Sequence, residues 1–265
     1  MSEHRILRLG ETLSAAARAL PRLWRGACGA IVLAAVIWSL KPLAAGPAGP
    51  AGPAGLIWAA CALTSTLVLA GALARIAITD DLAAARRLGL GPVGLQFGRP
   101  EVRLLGAGLL CAIFLAMILS VVALVLLAVF GMAELNAQAI EMRQWSAVGP
   151  AWKLILLAVV TAFALFAVIA FAVRLSLFAP ATIGRGQMVS LQSMSIARGG
   201  FWPLLVGLVV TAAPKIALVL LWGAGALFGT AGWIVFAVVL ADLQAPLTMA
   251  FVGAAYRRLE PAPPR

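Results

Sequence analysis

Six long stretches of the chain contain at most one charged residue each, and arginine-rich segments separate them. Their bounds are about 26–45, 56–74, 104–130, 154–173, 203–226 and 231–255. A helix needs about 20 apolar residues to cross a hydrocarbon core about 30 Å thick, so each stretch is long enough to span a bilayer. None alternates apolar and polar residues as a barrel strand does. The pattern therefore predicts an all-α fold, a polytopic membrane helix bundle with six transmembrane helices.

The placement of positive charge predicts the orientation of these spans. Sixteen of the 20 Lys and Arg residues lie in the two tails and in the loops that follow the second and fourth spans. Only Lys41, Arg143 and Lys153 lie on the other side, while Lys215 lies inside a span. Because cytoplasmic loops carry an excess of Lys and Arg, both termini are predicted to be cytoplasmic. Richness in alanine and arginine indicates a GC-rich bacterial source, so the expected location is the bacterial inner (plasma) membrane.

Three regions follow from this topology. Residues 1–25 form an amphipathic cytoplasmic segment, residues 26–258 the six-helix transmembrane domain, and residues 259–265 a cytoplasmic tail. Weakly amphipathic stretches in the N-terminal segment and in the two long cytoplasmic loops predict interfacial helices, whose arginines attract anionic lipid by about 1 kcal/mol each. We expect membrane lipids to be partners of the protein, while a protein partner or a homo-oligomer stays open.

Composition narrows the chemistry. The chain is 63% hydrophobic and 11% charged, against about 45–50% and about 25% in ordinary globular domains. Its net charge of +11 does not indicate a nucleic acid partner, because the cations stand in short clusters between spans. The three cysteines lack CxxC spacing, and the single histidine, His4, lies in the N-terminal tail. We therefore expect no metal site, no cofactor, no catalytic residue and no enzymatic activity.

The acidic residues divide into two groups. Eight lie in loops or tails, where we expect ordinary solvated charges, namely Glu3, Glu11, Asp80, Asp81, Glu101, Glu134, Glu141 and Glu260. The ninth, Asp242, lies in the middle of the sixth span, and Lys215 lies in the middle of the fifth. An antiparallel hairpin that sets Phe201 level with Tyr256 puts both charges at one depth. A lone charge there costs at least ~2.5–3.5 kcal/mol, so we predict a Lys215–Asp242 ion pair.

The surroundings of this pair leave two interpretations open. Gln244 and the backbone carbonyls freed by Pro214 and Pro246 are expected to support the pair as polar partners. In the structural interpretation, the pair only fixes the register of two helices. In the functional interpretation, the two prolines break the helices around a polar pocket through which an ion, a proton or an amphiphile passes.

Arginines recur at the inner ends of the predicted spans. Arg75, in Arg-Ile-Ala-Ile, ends the second span and Arg174, in Arg-Leu-Ser-Leu, ends the fourth. Arg198 precedes the fifth span, in a segment similar to the one before the first span. The recurrence favours a helix-hairpin unit used three times. The alternative, that every inner helix end needs such residues, stays open.

These segments carry a resemblance to a known family. The runs are 174–182 (Arg-Leu-Ser-Leu-Phe-Ala-Pro-Ala-Thr), 195–204 (Ser-Ile-Ala-Arg-Gly-Gly-Phe-Trp-Pro-Leu) and 255–259 (Ala-Tyr-Arg-Arg-Leu). They resemble the membrane domain of bacterial glycerophosphodiester phosphodiesterases and related, uncharacterised bacterial integral membrane proteins. The similarity covers mainly residues 165–260 and implies a multi-helix membrane module. It does not imply hydrolase activity, because the chain lacks the carboxylate and histidine cluster that phosphodiester hydrolysis requires.

Two functions are consistent with these features. The first is a non-enzymatic accessory or lipid-interacting membrane module. The second is a small transporter or channel component that uses Lys215 and Asp242. An intramembrane enzyme has the least support, because Asp242 is the only acidic residue at depth and an intramembrane protease needs a second aspartate or a Ser/His pair there.

Overall fold

The computed structural model describes residues 7–44, 52–133, 138, 141–142, 149–189, 191–197 and 200–260. Every regular element in these ranges is helical. The helices are α1 (Leu9–Ser39), α2 (Lys41–Ala44), α3 (Pro53–Ile78), α4 (Leu82–Arg87), α5 (Arg99–Met132), α6 (Ala151–Leu175), α7 (Phe178–Arg185), α8 (Ser193–Ile196), α9 (Phe201–Thr211), α10 (Ala213–Gly223), α11 (Gly229–Val239) and α12 (Ala245–Leu259). A short 3-10 turn (Pro92–Gly94) precedes α5, and a π-helical segment (Leu240–Gln244) joins α11 to α12.

The lengths and apolar character of these helices confirm the predicted fold class. Five helical stretches are long and apolar enough to cross a membrane, namely Leu9–Ser39, Pro53–Ile78, Pro92–Met132, Ala151–Arg185 and Gly229–Leu259. Helices α9 and α10 meet the same criterion together, across a bend of 50°. Counted as one broken span, they bring the number of candidate spans in the described ranges to six.

The larger of two compact units comprises Met1–Gly108 and Arg174–Arg265. Its core lies where α1, α3 and α12 pack together. Six of the ten buried residues of α1 are alanines, namely Ala16, Ala19, Ala27, Ala30, Ala34 and Ala35, and a seventh buried residue is Gly26. Such small side chains let helix backbones approach closely. Helices α3 and α12 approach in the same way, since a Cβ on Gly253 would lie only 2.4 Å from the Cβ of Ala77.

Helix α1 has a kink at Ala27, whose backbone is non-helical (φ −116°, ψ 15°). The turn before α5 packs there, and a Cβ on Gly94 would lie 2.8 Å from the Cα of Ala27. Gly94 also has a φ of +80°, in the left-handed region that favours glycine. The connection between α4 and α5 therefore closes onto α1 only with glycine at this position.

The smaller compact unit is Leu109–Val173. Within it the rings of Phe114 and Phe171 meet edge to face, with centroids 6.0 Å apart. Lys153 Nζ donates a hydrogen bond to the main-chain oxygen of Ala133 at 3.0 Å. Most of its described apolar side chains are exposed, which suits helices whose outer faces are surrounded by acyl chains.

Gly207 of α9 provides a test of the close helix packing. We expect Gly207→Ala to lower the thermal unfolding midpoint of the purified protein in mild detergent. A Cβ there would lie 1.9 Å from Cζ of Phe251, and the Phe251 side chain is 0% exposed, so it is enclosed by other residues. Overpacking of this kind typically costs about 1–3 kcal/mol.

The matched control is Gly131→Ala, because a Cβ on Gly131 meets nothing within 4 Å. We expect the control to be neutral or slightly stabilising, since alanine is favoured over glycine in helices by about 1 kcal/mol. Equal midpoints for the two variants would contradict the packing of α9 on α12.

Candidate functional site

A buried ion pair joins α3 to the start of α5. Arg75 Nη1 lies 2.6 Å from Glu101 Oε1, and both side chains are 1% exposed. Arg75 Nε also donates to the main-chain oxygen of Leu88 at 3.0 Å. The second oxygen of Glu101 accepts a hydrogen bond from the Gly98 N–H at 2.9 Å. Each buried charge thus has additional polar contacts, which such pairs need to offset the loss of water.

This ion pair corrects the expectation that Glu101 is an ordinary solvated charge. Arg75, predicted only as a helix-end arginine, is its buried partner. The sequence does carry one signal for the location of Glu101. It is the third residue of α5, where a glutamate reaches back to the N–H of the residue before the helix, as Glu101 does to Gly98. No local signal identifies Arg75 as the partner, because 26 residues separate the two.

Three further ion pairs tie the end of α12 to its neighbours. They join Arg257 to Asp80 (2.5 Å), Arg258 to Glu11 (2.9 Å) and Glu260 to Arg185 (2.7 Å). We call this end of the larger unit, formed by α12, α1, α7 and the turn between α3 and α4, the arginine-rich end. Glu11, Asp80 and Glu260 are thus ion-paired at this end, although the pairs remain partly exposed and each contributes little to stability.

A cleft of about 270 Å³ opens at the arginine-rich end. We call it the arginine cleft, and its lining residues are Ala15, Arg18, Ala19, Arg22, Asp80 and Arg257. Arg22 Nη1 donates to the main-chain oxygen of Asp80, and Arg257 pairs with the carboxylate of Asp80. The lining thus contains three guanidinium groups and one carboxylate, and only Arg257 pairs with that carboxylate, so positive charge is in excess.

Two of these arginines have a side-chain donor without a partner in the described part of the chain. The Nε atoms of Arg22 and Arg257 are buried and have no hydrogen-bond partner in the described part of the chain. Buried N–H groups are nearly always satisfied, and leaving a charged donor unsatisfied is costly. Guanidinium groups match the geometry of phosphate and carboxylate oxygens. The arrangement can therefore hold an oxyanion.

The cleft is a feature that sequence reasoning did not identify. Arg18 and Arg22 stand four residues apart, a spacing that places them on one face of a helix, and this is the signal that the sequence contains. Arg257 comes from the other end of the chain. Only the packing of α12 against α1 brings it to the same cleft.

The predicted Lys215–Asp242 ion pair is not present within 4.0 Å in the structure. The ion pairs of the described ranges include neither residue, and both residues are exposed. Instead, the main-chain N–H of Lys215 donates to Gln244 Oε1 at 3.3 Å, and Gln244 Nε2 donates to Thr248 at 2.7 Å. The predicted register assumes two straight helices. The 50° bend before α10 and the wider π-helical turn around Asp242 change it, so Lys215 lies opposite Gln244.

The two prolines expected to support the pair have different surroundings. Pro246 lies in the first turn of α12 and is buried, and it has no N–H to donate to the carbonyl four residues earlier, which is that of Asp242. The indole Nε1 of Trp24 donates to this oxygen at 2.7 Å. Pro214 lies in the first turn of α10, directly after the bend. The Asp242 carbonyl is therefore satisfied by Trp24 of α1 and not by Lys215.

The remaining predicted site residues are the helix-end arginines. Arg75 belongs to the buried ion pair described above. Arg174 lies in the last turn of α6 and is exposed. Arg198 lies outside the described residues. Arg75 and Arg174 therefore have different surroundings, one buried and the other exposed.

No family model, no curated protein and no solved structure matches this chain. The resemblance to the membrane domain of glycerophosphodiester phosphodiesterases therefore stays a prediction.

The Arg75–Glu101 pair gives a stability prediction. We expect Arg75→Leu to lower the free energy of unfolding by about 3–5 kcal/mol, because it leaves the Glu101 carboxylate buried without its partner. The double change Arg75→Leu/Glu101→Leu should recover part of this loss. Thermal unfolding and the monodisperse fraction in detergent measure both.

The matched control for this pair is Arg86→Leu, which removes an exposed arginine of α4. It should change the unfolding midpoint very little. A loss with Arg75→Leu no larger than that of the control, or a double variant that is less stable than Arg75→Leu, would show that the pair does not stabilise the junction of α3 and α5.

Proposed function

We propose that this chain is a non-enzymatic, lipid-interacting membrane module whose arginine cleft binds the phosphate of anionic phospholipid headgroups. The observation that carries the proposal is the excess of guanidinium groups over carboxylate in the cleft. The Nε donors of Arg22 and Arg257, which have no partner in the described part of the chain, support it. In this proposal the protein lies in the bacterial inner membrane, with the arginine-rich end and both termini on the cytoplasmic side.

Phosphate is the anion that suits this lining best. A phosphodiester presents several oxygen acceptors around one centre, and arginines bind such groups through parallel N–H donors. Small-molecule pockets typically enclose about 300–1,000 Å³, so a cleft of about 270 Å³ has room for a headgroup and not for a whole lipid. The acyl chains of the ligand then remain in the bilayer.

The position of the cleft along the helices supports a lipid ligand over a soluble one. Arg18 and Arg22 precede the most apolar part of α1, and Arg257 lies in the last turn of α12. Both helices belong to candidate spans. The headgroup layer begins where the apolar length of a span ends, and anionic lipid attracts each arginine there by about 1 kcal/mol.

A small transporter or channel component is the second candidate function. The observation that favours it is the pairing of a broken span, α9 and α10, with a π-helical segment at Asp242, since both irregularities are frequent at functional sites. A transport path needs the polar side chains to line an interior passage. Lys215 and Asp242 are exposed and form no ion pair within 4.0 Å in the described ranges, and the described cleft is lined by other residues, so we favour the lipid-binding function.

Lipid binding is tested by thermal unfolding of the purified protein in mild detergent with added lipid. A ligand that binds the folded state raises the unfolding midpoint, so we expect phosphatidylglycerol to raise it more than phosphatidylcholine does. The double change Arg22→Gln/Arg257→Gln should remove most of this difference. An arm with inorganic phosphate at the same concentration distinguishes a lipid headgroup from a free phosphate.

The matched control removes two arginines outside the cleft, Arg86→Gln and Arg87→Gln, which are exposed on α4 at the same end. We expect this control to keep the phosphatidylglycerol effect. Equal losses in the two double variants would mean that only overall charge matters, and the cleft would not be a site. A full effect from inorganic phosphate alone would assign the cleft to a soluble anion.

Transport is tested with protein reconstituted into liposomes that contain a pH-sensitive dye, under an imposed potential. The lipid-binding proposal expects the wild-type protein to conduct protons no faster than protein-free liposomes. A faster proton flux that Asp242→Asn abolishes, with equal amounts of folded protein in the two preparations, would favour the transporter.

A further inference from the structure

Lys215 and Asp242 are exposed charges within candidate spans of the larger unit. Lys215 lies in α10 and Asp242 in the π-helical segment. About 20 Å of helix separates Lys215 from Phe201, where its span begins. Acyl chains do not solvate charge, so ionised side chains at such depth are rare and nearly always paired. Each of these two residues therefore requires a partner.

The described part of this chain does not supply that partner. None of its ion pairs within 4.0 Å includes Lys215 or Asp242. The polar contacts made by the two residues use the backbone, through the Lys215 N–H to Gln244 and the Asp242 carbonyl to Trp24. The ammonium and the carboxylate themselves are left available at the surface.

Lys215 and Asp242 lie on neighbouring elements of the larger unit. The main-chain nitrogen of Lys215 is 3.3 Å from the side chain of Gln244, which is two residues from Asp242. Residues of the same two elements also expose apolar side chains, with Ile216 46%, Val219 52% and Leu243 38% exposed. We call these residues with Lys215 and Asp242 the charged patch. It combines one positive group, one negative group and apolar side chains that can pack.

We propose that the charged patch binds a second copy of this chain, in a two-fold dimer in which Lys215 of each copy pairs with Asp242 of the other. A patch with one positive and one negative group is complementary to its own copy after a two-fold rotation. An anionic lipid matches only Lys215 and leaves Asp242 alone in hydrocarbon. The dimer satisfies both charges at once, and the apolar side chains supply the packing on which helix association in lipid depends.

Charge reversal in two differently tagged copies tests this dimer. Lys215→Asp and Asp242→Lys, each expressed alone in two tagged forms, should lower copurification from mild detergent about tenfold, the equivalent of about 1.4 kcal/mol. In a dimer of either single variant, residue 215 of one copy and residue 242 of the other carry charges of the same sign. Coexpression of the two variants should restore copurification to near the wild-type level, because each contact then joins opposite charges again.

Restoration in the mixture distinguishes pairing between copies from pairing within one copy. Within one copy, each variant keeps two like charges whether or not the other is present, so the mixture gains nothing. Reversal of Arg86 on α4, Arg86→Asp, controls for charge reversal at an exposed position and should leave copurification unchanged. A mixture that copurifies no better than the single variants, or single variants that copurify like the wild type, would overturn the dimer.

Neutral variants keep the test decisive if a reversed variant does not accumulate in the membrane. Lys215→Gln and Asp242→Asn are each expected to weaken self-association. Their mixture contains one intact ion pair and one neutral contact, and it should copurify better than either variant alone. Equal copurification of the mixture and the single variants would overturn the proposal in this form as well.

Discussion

Hydrocarbon offers no hydrogen-bond partners, and most of the polar structure of this protein follows from that constraint. Hydroxyls within the spans bond to carbonyls four residues earlier, as Thr64, Thr66 and Ser120 do. The carbonyl of Asp242, which Pro246 leaves without a helical donor, takes the indole N–H of Trp24. These polar groups are thus satisfied within the chain. Lys215 and Asp242 differ from them, because their charges lie within candidate spans and have no ion-pair partner within 4.0 Å in the described ranges, and for these two residues we propose a partner outside the chain.

The same solvent removes the hydrophobic force that joins helices in water, so close packing must hold the larger unit together. Small residues allow this packing. Alanines line the buried side of α1, Gly253 lies against Ala77, and Gly207 lies against Phe251. Because α1 and α12 approach so closely, their ends converge, and Arg22 and Arg257 reach one cleft with Asp80. The arginine cleft is in this sense a consequence of small residues elsewhere in the helices. Its proposed ligand is a phosphate, in the layer where arginine remains hydrated.

The candidate sites could be predicted from the sequence only in part. The depth of Lys215 and Asp242 follows from their distance to the span ends, and their need for a partner follows from depth. The register between Lys215 and Asp242 does not follow from the sequence, because a 50° bend precedes Lys215 and a π-helical turn contains Asp242. For Glu101 the sequence predicts a solvated charge, because it stands in a short polar stretch typical of a loop. In the structure it is buried, because it pairs with Arg75, which is 26 residues away.

The sequence by itself determined that the chain is all-α and carries six candidate spans, because hydropathy over about 20 residues is a local property and lipid permits few backbone structures. It also determined that positive charge gathers at one set of helix ends. The tertiary structure alone decided which charges meet. Arg75 with Glu101, Arg257 with Asp80, and Lys215 with Gln244 are contacts between distant segments. These contacts depend on the helix kinks, on the close approach of helices at glycines and on the π-helical turn. The combined effect of these features on the register between helices cannot be predicted from a local sequence pattern.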